Sequence, residues 1–101
     1  MIHVLATIEL ADGVREKFLG EFHRIISIVR DEDGCIEYGP AIDLKTSVSS
    51  GEARENVVTV IEKWTSVPAL EAHLKAPHMA SYRDRVKDLV RDVKIHVLAP
   101  G

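Results

Sequence analysis

From Ile2 to Leu10 apolar residues alternate with others: Ile2, Val4, Ala6, Ile8 and Leu10 against His3, Leu5, Thr7 and Glu9. A period of two is that of a strand with one buried face, so a first strand is predicted here. After the turn signal Asp12-Gly13 the period lengthens. Val14, Phe18, Phe22, Ile25 and Val29 recur at helical spacing, and Leu19 and Ile26 widen the stripe to what a core-facing helix needs. One helix is predicted, with Asp12 as its candidate cap. It ends at Asp31-Glu32-Asp33-Gly34, where glycine can adopt the left-handed conformation that closes helices. Alternation returns from Cys35 to Leu44 through Ile36, Tyr38, Ile42 and Leu44, but Pro40 withholds one ladder donor and predicts an edge strand or a bulge.

Lys45 to Glu55 is rich in small polar residues and reads as a loop of about ten residues, longer than an ordinary hairpin connection and the segment expected to be most mobile. Asn56 to Trp64 follows, with Val57, Val58, Val60 and Ile61 apolar on both sides of the pleat, which predicts a third strand covered on both faces. Ser66-Val67-Pro68 starts a helix with a capping serine and a proline in its first turn. Leu70 and Leu74 are its expected core stripe, with His73 at the stripe's edge. The helix breaks at Ala76-Pro77 and resumes through Met79, Tyr82, Val86, Leu89 and Val90. Val93 to Leu98 then alternates as the last strand.

The order βαββαβ implies an α+β, ferredoxin-like sandwich, with an antiparallel four-stranded sheet carrying both helices on one face. At 101 residues a single domain spanning 1–101 is expected. The other sheet face lacks a cover, and Leu5, Leu98 and the outer side of the third strand are apolar, so a homodimer through the sheets is expected. His3 and His96 are expected on that side, in structural roles.

Composition narrows the partners. The chain is 46% apolar and 29% charged, ordinary for a folded protein. Its formal charge of -3 is scattered and includes no basic stripe, which argues against nucleic acid. No apolar stretch reaches the roughly 18 residues of a membrane span, and Met1-Ile2-His3-Val4 has no positive n-region. Cys35 is the single cysteine, without a CxxC partner, which fits a reducing compartment. A cytoplasmic location is expected.

The candidate chemistry lies between Glu62 and His78. Glu62 and Trp64 share a strand face with Val58 and Val60, and His73 lies on the overlying helix. A buried carboxylate, or one hydrogen-bonded to a histidine, exchanges a proton near neutral pH. Spacing alone leaves another arrangement open, in which Trp64 plugs the end of the core, Glu62 makes a surface ion pair and His73 packs locally. Tyr38 and Tyr82 are amphipathic rings suited either to a pocket for a phenolic compound or to the core. No HExxH, CxxC or carboxylate cluster argues for a metal, and no glycine-rich loop argues for a nucleotide.

Taken in order, Gly34-Cys35-x-x-Tyr38, Glu62-x-Trp64, Ala69-Leu70-x-x-His73 and then His78 resemble the pattern of the antibiotic biosynthesis monooxygenase family, along nearly the whole chain. The resemblance implies a ferredoxin-like fold, a dimeric α+β barrel, and a pocket between sheet and helices in each subunit. That family includes quinol and polyphenol monooxygenases that need no flavin, metal or other prosthetic group, as well as haem-degrading enzymes and an isomerase of a phosphorylated signalling molecule. The implied activity is oxidation of a small aromatic, quinol-type compound by dioxygen without a cofactor. His73 and Glu62 would be the proton acceptors, with Trp64, Tyr38, Tyr82 and His78 against the substrate. The first strand has no asparagine of the kind the haem-degrading branch carries, which argues against haem. The alternatives are an isomerase acting in the same pocket and a dimeric binding protein without turnover.

Overall fold

The computed structural model describes residues 1–101. The chain forms β1 (Ile2–Leu10), α1 (Arg15–His23), α2 (Ile26–Arg30), β2 (Cys35–Ala41), β3 (Val57–Trp64), α3 (Val67–Lys75), α4 (Pro77–Val86) and β4 (Val90–Leu98). All three pairings are antiparallel, and the strand order β2-β3-β1-β4 is that of the ferredoxin-like fold. The expected α+β architecture is therefore present. β2 lies at an edge, as Pro40 required, and its register slips between Cys35 and Glu37.

The helix-facing side of the sheet is the core. Val4, Ala6, Ile8 and Leu10 of β1 and Val58, Val60, Glu62 and Trp64 of β3 are all buried there, against Phe18, Phe22, Ile25, Val29, Leu70, Met79, Tyr82 and Val86. On the opposite face Ile61 is 40% and Leu98 45% exposed, so β3 is sealed on one side only. β4 departs further from expectation. Val93, Ile95 and Val97 pair with Ile8, Ala6 and Val4 and so lie on the helix side, yet they stay 47%, 49% and 48% exposed because no helix reaches over that edge.

Four boundaries differ from the sequence reading, each for a local reason. The first helix is broken at Arg24-Ile25, where Arg24 and Ile25 donate to Glu21 and Phe22, three residues back. The β-branched run Ile25, Ile26, Ile28, Val29 crowds a regular helix, and the chain tightens there instead. Asp12 is not the cap, since Val14 holds that position without a side-chain bond. Gly13 takes φ 76°, and the Asp12 carboxylate turns to Asn56 Nδ2 at 3.2 Å and Arg91 at 3.6 Å. β2 ends at Ala41, so Ile42 and Leu44 are exposed, and the following loop is tied by Arg54, which donates to both Asp43 oxygens at 2.8 and 3.0 Å. β4 starts at Val90, three residues early, through a register shift at Glu9/Leu10.

The second helical segment forms as its capping residues dictate. Ser66 Oγ accepts from Ala69 N at 3.2 Å. Ala76, which precedes Pro77, is held extended at ψ 143° and separates α3 from α4. The roll of α3 differs from the Leu70/Leu74 expectation. Leu70 and His73 face the sheet at 6% and 2% exposure, and Leu74 is left 38% exposed.

Candidate active site

The roll of α3 sets His73 on Trp64, with ring centroids 4.7 Å apart, and edge-on to Tyr38 at 5.4 Å. A buried imidazole requires a polar partner, and it has one: His73 Nδ1 lies 2.9 Å from Glu32 Oε2. The same oxygen meets His78 Nε2 at 2.8 Å. Glu32 is brought there by the turn between α2 and β2. Gly34, at φ 84°, lies so close to the start of α3 that a Cβ there would stand 2.6 Å from Thr65 Oγ1 and 2.7 Å from Ala69 Cβ. Gly34 O also accepts from Thr65 N at 2.8 Å.

Glu62 is 6% exposed and accepts a hydrogen bond from Trp64 Nε1 at 2.9 Å. It makes no surface ion pair. Burial raises its carboxyl to about 7, against the lowering effect of the Trp64 bond and with a further raising contribution from the Glu32 charge. Burial lowers the His73 imidazole, and the Glu32 hydrogen bond opposes that without cancelling it. Tyr38 and Tyr82 are both raised, chiefly by burial, so their phenols are neutral hydrogen-bonding groups at ordinary pH. Burial also pushes up the Cys35 thiol, which makes it a poor nucleophile.

Glu62, His73, Tyr38 and Tyr82 line one cavity of about 340 Å³ between sheet and helices, with mostly apolar walls that include Phe22, Val60 and Met79. Val93 and Ile95 form its β4 side, and Arg83 and Lys87 stand among its lining residues. Nδ1 is engaged with Glu32, so Nε2 is the ring nitrogen left free in a histidine that lines the cavity. An ionised Glu32 accepts the Nδ1 hydrogen and thereby leaves the Nε2 lone pair available, the tautomer a general base needs. The aromatic walls are mutually braced, Phe22 stacking on Tyr38 at 5.4 Å and meeting Tyr82 edge-on at 5.9 Å.

Of the six residues singled out from sequence, these four share the cavity. Trp64 lies behind it, fully buried, and reaches it through Glu62. His78, at the start of α4, lies outside the lining and joins through Glu32. The residue that sequence reasoning missed is Glu32. It stands 41 positions from His73 within the helix stop Asp31-Glu32-Asp33-Gly34, and the local signal there is Gly34, the glycine of that turn. Glu32, His73 and His78 also gather three metal-ligating atoms within 4.8 Å of one another, drawn from two segments, which no spacing motif describes.

The chain matches the model of the family described as antibiotic biosynthesis monooxygenase over residues 1–85. It is 37% identical over 103 aligned residues to a protein of Escherichia coli (strain K12) named "Probable quinol monooxygenase YgiN", an alignment covering 100% of this chain and 99% of that one. Among solved structures it resembles Rv0793 from Mycobacterium tuberculosis, with TM-score 0.80 and 27% identity over 98% of this chain and 93% of that one. PA3566 from Pseudomonas aeruginosa is similar to the same degree, with TM-score 0.80 and 27% identity over 98% of this chain and 92% of that one.

Proposed function

Because this chain belongs to the antibiotic biosynthesis monooxygenase family, we propose that it oxidises a small quinol-type aromatic compound with dioxygen, using no prosthetic group, in the cavity between sheet and helices. The observation that carries this reading is that Glu62 and His73, two groups able to accept a proton, share one cavity with aromatic and apolar walls. The similarity to a relative named as a quinol monooxygenase supports the substrate class.

The ring of a bicyclic or monocyclic quinol enters among Phe22, Tyr38, Tyr82 and Met79, with one hydroxyl toward Glu62 and His73. His73 Nε2, or the Glu62 carboxylate, takes the hydroxyl proton, and Glu32 steadies the imidazolium that forms. The quinolate is electron-rich enough to reduce dioxygen itself, so the protein need only bind, deprotonate and exclude water. One oxygen atom enters the ring and the other leaves as water, which balances quinol plus dioxygen against hydroxyquinone plus water. Trp64 positions Glu62, and Glu32 positions His73.

The test is dioxygen uptake by purified, metal-free protein against a panel of dihydroxynaphthalenes and related quinols, with His73→Ala as the control. Uptake above background that the variant loses supports the oxygenase reading and the base together. Turnover that proceeds without dioxygen would favour an isomerase in the same cavity. Binding without turnover on any compound would leave a binding protein.

A further inference from the structure

The group Glu32, His73 and His78 extends beyond the deprotonation just described. Two imidazole nitrogens converge on a single carboxylate oxygen, His73 Nδ1 at 2.9 Å and His78 Nε2 at 2.8 Å, and the three ligating atoms lie within 4.8 Å of one another. Two imidazoles and one carboxylate form a donor set suited to borderline divalent ions, with ligand bonds of about 2.0–2.2 Å. The site is graded in access: the His73 side chain is 2% exposed, that of Glu32 15% and that of His78 24%. The open side of the group is therefore the one at His78. Trp64 and Tyr38 pack on His73 and hold its ring in place, as neighbours of a metal-bound histidine do.

We propose that Glu32, His73 and His78 bind one borderline divalent cation, such as Zn²⁺, and that its binding switches off His73 as a base. The cation takes the lone pair of His73 Nδ1, so the ring hydrogen must sit on Nε2. His78 likewise binds through Nε2 and carries its hydrogen on Nδ1. Each ring binds as a neutral imidazole, and the cavity then meets an N–H where it had met a lone pair. The binding site stands by itself, whereas the inhibition rests on the base role given to His73 above.

The test is a titration of metal-free protein with Co²⁺, followed by visible absorption and by emission of Trp64, the single tryptophan, with Zn²⁺ binding measured by calorimetry. The expected result is one ion per chain, visible bands of a low-coordinate ion and quenched Trp64 emission. Affinity should fall by more than about ten-fold in both His78→Ala and Glu32→Gln, the lower end of what even an outer contact contributes to metal affinity. Unchanged circular dichroism establishes that each variant is folded, and the second serves if the first is not. Failure of wild type to bind overturns the site, and so does binding by both variants as tight as that of wild type, which would place the ion on other histidines such as His3 or His96. Nitrogen-15 spectra of the Zn²⁺-loaded protein should show His73 with hydrogen on Nε2, and a hydrogen retained on Nδ1 would also overturn the site. If Zn²⁺ binds there yet quinol-dependent dioxygen uptake persists, the inhibition and the His73 base fall while the site remains.

Discussion

At the scale of residues, Glu62 and His73 oppose each other in what burial does to them. Glu62 has its carboxyl raised to about 7, in sight of Glu32 from the α2–β2 turn, Tyr38 from β2, His73 from α3 and Tyr82 from α4. It is a base only when ionised, so kcat/KM should rise with pH through a limb near 7. Trp64→Phe removes the hydrogen bond that lowers Glu62, and should move that limb to higher pH; an unmoved limb would show that Glu62 does not set it. Stability should respond in the opposite sense. The folded-state value lies above the ordinary 4.5, so the contribution of Glu62 is complete below pH 4.5 and is lost as pH rises toward 7, by about 3 kcal/mol. His73, lowered by burial, works the other way by costing stability as pH falls below its ordinary value. The comparison that isolates Glu62 is therefore wild type against Glu62→Gln. The variant should melt higher than wild type at pH 8 and lose that advantage at pH 4. His73→Ala should lower turnover roughly 100-fold or more, the range of a lost general base.

At the scale of elements, the site depends on the turn that carries Glu32 and on the start of α3. Gly34→Ala places a Cβ at φ 84°, 2.6 Å from Thr65 Oγ1 and 2.7 Å from Ala69 Cβ. A left-handed conformation alone costs an ordinary residue about 1–2 kcal/mol, and the contact adds to it, so a loss above about 2 kcal/mol is expected in chemical denaturation. Relief of the contact should also displace Glu32 from His73 and reduce turnover in whatever fraction stays folded. Ser66→Ala deletes the cap of α3 at a cost of about 1 kcal/mol, with a smaller effect on activity. Equal losses for the two would mean that the close approach at Gly34 relaxes freely.

For the whole molecule, the sheet leaves apolar surface uncovered on both of its faces. Leu5, Ile61 and Leu98 lie on the sheet face away from the helices, and Val93, Ile95 and Val97 lie on the helix side of the β4 edge, where Val93 and Ile95 also wall the cavity. We propose that a second copy covers them, and that the cavity is closed only in that homodimer. Solution mass should be twice the 11.2 kDa of the chain. Ile95→Lys should yield monomers with weakened quinol binding, and monomeric wild type at micromolar concentration would remove the argument. No helix is long and apolar enough to cross a membrane.

Local sequence specified the βαββαβ order through its periodicity, and the edge position of β2, the cap of α3 and the break at Ala76-Pro77 through Pro40, Ser66 and Pro77, because each follows from backbone chemistry that acts within a few residues. The Gly-Cys-x-x-Tyr, Glu-x-Trp and histidine pattern likewise identified the family. Tertiary structure decided what local spacing leaves free. It turned α3 so that His73 rather than Leu74 faces the sheet, and it turned Asp12 away from the helix it precedes. It left the β4 edge bare, and it laid Glu32 across both His73 and His78 through a glycine turn 41 positions away. Those outcomes depend on which surfaces meet and how closely, and no window of sequence shorter than the fold contains that information.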